Sequence, residues 1–207
     1  MKTRIALLLM ASALMVIGCA GGSPELDPIE EPAQVASIDE DLLLAAAESY
    51  AISGDLLPEG CQASGPGTAR PNSGVLEARS DGQAYLDASR RIEGWQIQFD
   101  CQGNPGLIVN VVNTYETLEG AAITLSRTWH GEVWERIDSG QLEQLENIPG
   151  LGDLQIVFQD ANGTVGVEFV HRNVYFFMTG TSVGGVDNYA FFSELANRYL
   201  ASIQAGQ

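Results

Sequence analysis

An α+β domain is the fold class this chain predicts: an antiparallel sheet of about five to six strands with helices packed on it, including an N-terminal and a C-terminal helix. Three observations lead there. Apolar runs of period two come in consecutive pairs joined by short turns, the pattern of hairpins. Runs of helical period stand before, between and after them. No repeat of about 20–50 residues recurs, which argues against solenoids and propellers.

The elements follow in order. Ser37-Ile38-Asp39-Glu40 matches a capping box, Leu43, Ala46, Ala47, Tyr50 and Ala51 continue at helical spacing, and Gly54 is placed as a stop. Leu56 to Ser80 is rich in Gly, Pro and Ser and reads as loop, with a short strand at Val75 to Ala78. Asp81 to Ile92 carries a helical pattern ending at Gly94. Trp95, Ile97 and Phe99 then alternate with Gln96, Gln98 and Asp100, a half-buried strand. Gly103 to Gly106 is a turn that would put Cys101 at the bend, and Leu107 to Tyr115 returns as a β-branched strand.

Glu116 to His130 reads as one helix, with Leu118, Ala121, Ala122, Leu125 and Trp129 on a single face. Glu132 to Asn147 continues it with a break near Ser139-Gly140, and Ile148 to Asp153 is a tight connection. Strands follow at Leu154 to Phe158, Val165 to Val170 and Val174 to Thr179, joined by turns at Asp160 to Gly163 and at His171-Arg172-Asn173. Phe192, Leu195, Ala196, Tyr199, Leu200 and Ile203 line one face of a last helix over Asp187 to Ile203.

The first residues have another character. Lys2 and Arg4 form a charged start, Ile5 to Ile17 is weakly polar to apolar throughout, and Val16-Ile17-Gly18-Cys19 sets a small residue before a cysteine. The run is shorter than the about 20 residues of a permanent span, but it suits a signal peptide. This pattern resembles the signal of bacterial lipoproteins. The resemblance implies that residues 1–18 are removed, that Cys19 takes a diacylglyceryl group through its thiolate, and that its new amino group is acylated. Two or three acyl chains anchor where one is marginal, at about 0.8 kcal/mol per buried methylene. It further implies a lipid-anchored place on the cell membrane or outer membrane, facing the extracytoplasmic side. Ala20 after the cysteine, in place of Asp, resembles outer-membrane sorting.

Residues 19–36 hold three prolines, several acids and few large apolar groups, the composition of a flexible tether. Residues 37–207 then form a single α+β domain. Acidity is uneven: Ala20 to Ala69 has ten acids and no base, whereas Arg70 onward has seventeen acids and eight arginines. The formal net charge of −17 falls to −19 once Lys2 and Arg4 leave. Such a balance argues against nucleic acid or an anionic lipid surface as a partner of a basic patch.

Apart from Cys19 the chain has Cys61 and Cys101. An even pair in an exported chain is most simply a disulfide. The rival is a redox or thiolate-metal pair, which no C-x-x-C spacing supports.

Several pieces resemble one recurrent group of uncharacterised exported bacterial proteins: Gly94-Trp95, Tyr115 to Ala122 (YETLEGAA), Pro149 to Asp153 (PGLGD), Arg172-Asn173-Val174 and the apolar terminal helix. The layout is also similar to the PsbP-like fold and to the extracellular sensor domains of actinobacterial membrane kinases. Those sensor domains usually carry two disulfides, and this chain has cysteines for one. Kinship of layout carries no activity over.

Catalytic and metal signatures are missing. The two histidines, His130 and His171, form no H-x-x-x-H, and no D-x-D-x-D-G run or G-x-S-x-G elbow occurs. Gly180 to Gly185 is a small-residue loop without the lysine of a phosphate loop. Glu132 and Glu135 read as a solvated helix face. No metal and no cofactor is called for. Trp129, His130 and Trp134 are the candidate lining of a binding cleft, set against the alternative that the indoles fill the core. The expectation is a membrane-anchored, non-catalytic domain binding a small molecule or an envelope protein. An envelope hydrolase without a recognisable motif and a structural assembly lipoprotein are the other two classes.

Overall fold

Alternating side chains along the long strands decide the architecture, because the sheet buries an apolar cluster on each of its two faces. The computed structural model describes residues 42–102, 106–152, 154–181 and 187–206. The signal, Cys19, the tether, the capping box at Ser37, the 103–105 turn, Asp153 and most of the 180–185 loop therefore lie outside the described residues.

Five long strands match the predicted ones: β3 (Arg91–Cys101), β4 (Leu107–Tyr115), β6 (Gln155–Asp160), β7 (Val165–His171) and β8 (Val174–Thr181). Three short ones, β1 (Cys61–Ala63), β2 (Thr68–Ala69) and β5 (Leu142–Gln144), bring the sheet to eight, above the expected five to six. Their order is β1-β3-β4-β8-β7-β6-β5, with β2 also on the outer edge of β3, and every pairing is antiparallel. The α+β class holds. The short strands escape a sequence reading because two or three residues cannot establish a period.

Helices cover both faces rather than one. On the first face lies α5 (Asn188–Ala205), started by Asp187, whose carboxylate accepts from Ala190 N at 3.1 Å. Its Phe192, Leu195, Ala196, Tyr199, Leu200 and Ile203 pack with Ile108, Val112, Val157, Phe169 and Phe176. Each large side chain buried in this way stabilises by roughly 1.5–3 kcal/mol. On the second face, α2 (Gly82–Ser89), α3 (Leu118–Ile123) and α4 (Gly131–Asp138) flank a smaller cluster of Tyr115, Ala121, Leu125, Ile156, Val170 and Tyr175.

Four local expectations are corrected. Within the described part of the expected N-terminal helix there is no α-helix. Residues 42–46 are non-helical, and 3-10 turns follow at Ala47–Tyr50 and Gly54–Leu56. Side chains from β3, β4 and the β7–β8 turn take over its backbone bonds. Leu43 N donates to Asn173 Oδ1 (2.7 Å), Ala47 N to Glu93 Oε1 (2.8 Å) and Ile52 N to Asn110 Oδ1 (2.9 Å). Tertiary partners here override helical propensity, and the segment becomes a strap across the α5 face.

Val75 to Ala78, expected as a strand, belongs instead to α1 (Asn72–Ala78), since a short apolar run does not distinguish the two states. The expected long helix over 116–130 is the six-residue α3 followed by tight turns, with Leu125 N bonded to Ala122 O and Ser126 N to Ile123 O. The expected 132–147 helix stops at Asp138. Gly140 (φ 73°) then turns the chain into β5, which pairs with Gln159 and Asp160.

At the far edge, Cys61 is joined to Cys101 by a disulfide between register partners of β1 and β3. Closing a loop with a sequence separation of 40 stabilises by up to about 4 kcal/mol on the chain-entropy account.

Candidate functional site

The second sheet face carries the polar chemistry of the molecule. Thr117 caps α3, its hydroxyl accepting from Gly120 N at 3.0 Å. A β-carbon at Gly120 would collide with the carbonyl oxygen of Ser89, so glycine is what lets α3 approach the end of α2. The same closeness accounts for Gly94, over whose α-carbon the Arg91 guanidinium and the Asn113 carboxamide lie.

Under these helices Tyr85 Oη lies 2.9 Å from Tyr115 Oη, and Thr124 Oγ1 donates to Tyr115 Oη at 3.0 Å. Burial drives Tyr115 well above the ordinary tyrosine range, with Tyr85 adding to the effect. Tyr175 is likewise pushed well up, by burial first and by the neighbouring Glu168 carboxylate second. Glu168, in the middle of β7 and 2 % exposed, faces this layer. His130 Nε2 stands 2.9 Å from its Oε1 and 2.8 Å from its Oε2, the better-aligned hydrogen bond going to Oε1.

Arg91 on β3 is also buried, and burial lowers its affinity for the proton below the usual arginine value. It bonds to neutral oxygens: Asn72 Oδ1 (2.6 Å), Asn113 Oδ1 (2.8 Å) and Arg70 O (2.8 Å). Its hydrogen-bonding capacity is spent on its own neighbours.

Of the three residues expected to line a cleft, His130 reaches into the network just described. Trp134 sits on α4 with its indole N–H donating to Leu125 O at 3.0 Å, under the Arg127 guanidinium, 4.5 Å from its ring. Trp129 packs against Tyr85 at 5.7 Å between ring centres, and its carbonyl accepts from Arg79 Nη1. Glu132 and Glu135 are exposed on α4.

Two clefts open elsewhere, on either side of the strap. One, of about 470 Å³, is lined by Leu42 to Ala46 with Ile92, Glu93 and Glu116; the other, of about 520 Å³, by Leu42 to Ala45 with Tyr50, Arg172 and Ile203. Leu44 is 88 % and Ile92 54 % exposed at the first. Among the described residues no group of three or more potential metal ligands comes together, and no helix is long and apolar enough to cross a membrane.

Sequence reasoning missed Glu168 and its tyrosine neighbours. A signal for the first was present: Glu168 is a lone acid inside the continuous apolar run Val165 to Val170.

No protein-family model matches this chain, and no curated protein matches it. Among solved structures, the chain is similar to the extracellular domain of PknH from Mycobacterium tuberculosis. That likeness has a TM-score of 0.50 at 9 % identity and covers 78 % of this chain and 100 % of that one. At that identity it speaks to the fold, which is one seen in an extracellular domain.

Proposed function

We propose that this is an exported, lipid-anchored binding or sensing domain without catalytic activity, held at the membrane through Cys19 on the 19–36 tether. The observation that carries the reading is the pairing of a lipoprotein-like signal with a fold shared with an extracellular domain. The Cys61–Cys101 disulfide is in keeping with an oxidising compartment. The polar groups of the second face bond mainly to one another beneath helices, an arrangement suited to holding a conformation rather than presenting a nucleophile. The partner is a small molecule or an envelope protein.

Two measurements test the reading. Cys19→Ser expressed in a bacterial host with lipoprotein processing should move the protein from the membrane fraction to the soluble one, and retention at the membrane refutes the anchor. Native mass spectrometry of the protein from its own export compartment should reveal a bound small molecule or a co-purifying envelope protein. A bare chain that turns over envelope substrates would replace binding with hydrolysis.

A further inference from the structure

We propose that helix α4 is a pH-sensitive clamp: it is docked on the sheet while His130 is protonated against the buried Glu168, and it loosens when His130 loses that proton. The inference is independent of the lipid anchor and of any ligand.

A carboxylate withdrawn from water costs several kcal/mol unless a cation offsets it. Among the described residues Glu168, 2 % exposed, has one group in contact that can become a cation, the imidazole of His130. His130 is also the residue from which α4 starts. Besides that contact the helix is held by the Trp134 indole, whose N–H donates to Leu125 O at 3.0 Å, and by partial apolar cover. None of its side chains is fully buried, and Trp134 and Ile137 are only partly covered against the second cluster. A solvent-exposed Arg127–Asp138 pair, 2.7 Å apart, ties its far end, where water screens the attraction.

Imidazole changes charge between about pH 5 and 8. With the proton on, charge on Glu168 is balanced. With it off, Glu168 keeps at best a neutral N–H donor, and the Coulomb attraction that favours the docked helix is gone.

The groups that face the pair from the surrounding elements are tyrosines, arginines and apolar side chains, residue types whose ordinary titration lies outside this range. From β8 comes Tyr175, and beyond it Tyr115 of β4; burial keeps the proton on both. Tyr85 of α2 is hydrogen-bonded to Tyr115 at 2.9 Å. Arg91 of β3 is bound by Asn72 and Asn113, and Arg79 by Asp81 at 2.9 Å. In register with Glu168, β6 offers Ile156 and β8 Phe177, both uncharged. On α4 itself Glu132, Glu135 and Arg136 point to solvent. The pH of the surroundings would then set how firmly α4, through Trp134 and Ile137, covers the second apolar cluster.

Hydrogen exchange of the full chain, corrected for intrinsic rates, tests this. Amides of Gly131 to Asp138 should lose about fivefold or more of their protection between about pH 5.5 and 8, with β7 and β8 unchanged. His130→Gln keeps a donor but cannot titrate, and Glu168→Gln removes the buried charge. Either variant should flatten the pH response of α4. Equal protection of α4 at both pH values in the parent chain overturns the proposal, and so does a response that persists in both variants.

Discussion

Gly120 shows how much a single atom decides in this molecule. A methyl group there meets the Ser89 carbonyl, which is backbone and cannot swing aside. The helical gain of alanine over glycine is about 1 kcal/mol, whereas overpacking costs about 1–3 kcal/mol and here also pushes α3 off its tyrosine layer. Gly120→Ala should therefore lower stability by about 1–2 kcal/mol in urea unfolding. Gly131→Ala is the matched control, because nothing lies within 4 Å of its added carbon. It should be neutral or stabilise by about 0.5 kcal/mol. If both variants unfold alike, the close approach of α2 and α3 is not what Gly120 serves. At this scale the sequence was partly legible. The YETLEGAA motif was noticed, but its reason was not, since the carbonyl that excludes a β-carbon comes from a helix thirty residues earlier. Asn110 and Glu168 carry a plainer signal, each a lone polar residue within an apolar strand run. Where their side chains go depends on residues far along the chain, His130 for one and Ile52 for the other.

Among the elements, those built from long periodic runs were readable and those held by distant side chains were not. The terminal helix, 18 residues long, and the five long strands, of 6 to 11 residues, fall close to their expected bounds because a consistent phase over such runs outweighs local exceptions. The strap fails that test in an informative way. Its buried positions, Leu43, Ala47, Ile52 and Leu57, are spaced by four and five residues, near enough to a helical turn to mislead. What decides its conformation is Asn173, which accepts from Leu43 N and donates to Leu43 O (3.1 Å) and Tyr115 O (2.7 Å). Removing that carboxamide leaves buried backbone groups unpaired, at about 1–3 kcal/mol each. In Asn173→Ala the strap should come away before the sheet does. Exchange at Leu43 to Ile52 should rise well ahead of exchange in β7 and β8, with a global loss of about 2 kcal/mol. Uniform acceleration across the whole chain would mean the carboxamide supports the β7–β8 turn rather than the strap.

For the whole molecule, charge is the property that couples distant parts, and only two side chains in the sequence are histidines. His171, at the end of β7, is partly covered with its Nε2 buried and unpartnered, and burial followed by the charge of Arg172 lowers its pKa from 6.5. The folded state therefore prefers it neutral. Its contribution to stability is complete above pH 6.5, the unfolded value, and is lost as pH falls through the lower folded value. Asp160, held low by the amides of Thr164 and Asn162 despite the burial that works against them, loses its contribution only below the ordinary carboxylate value of 3.8. The interval between about pH 7.5 and 5.5 thus separates imidazole from carboxylate titration. Urea midpoints across it should fall less on acidification in His171→Gln than in the parent chain. Matching slopes in the two proteins would show that the buried ring is not coupled to folding.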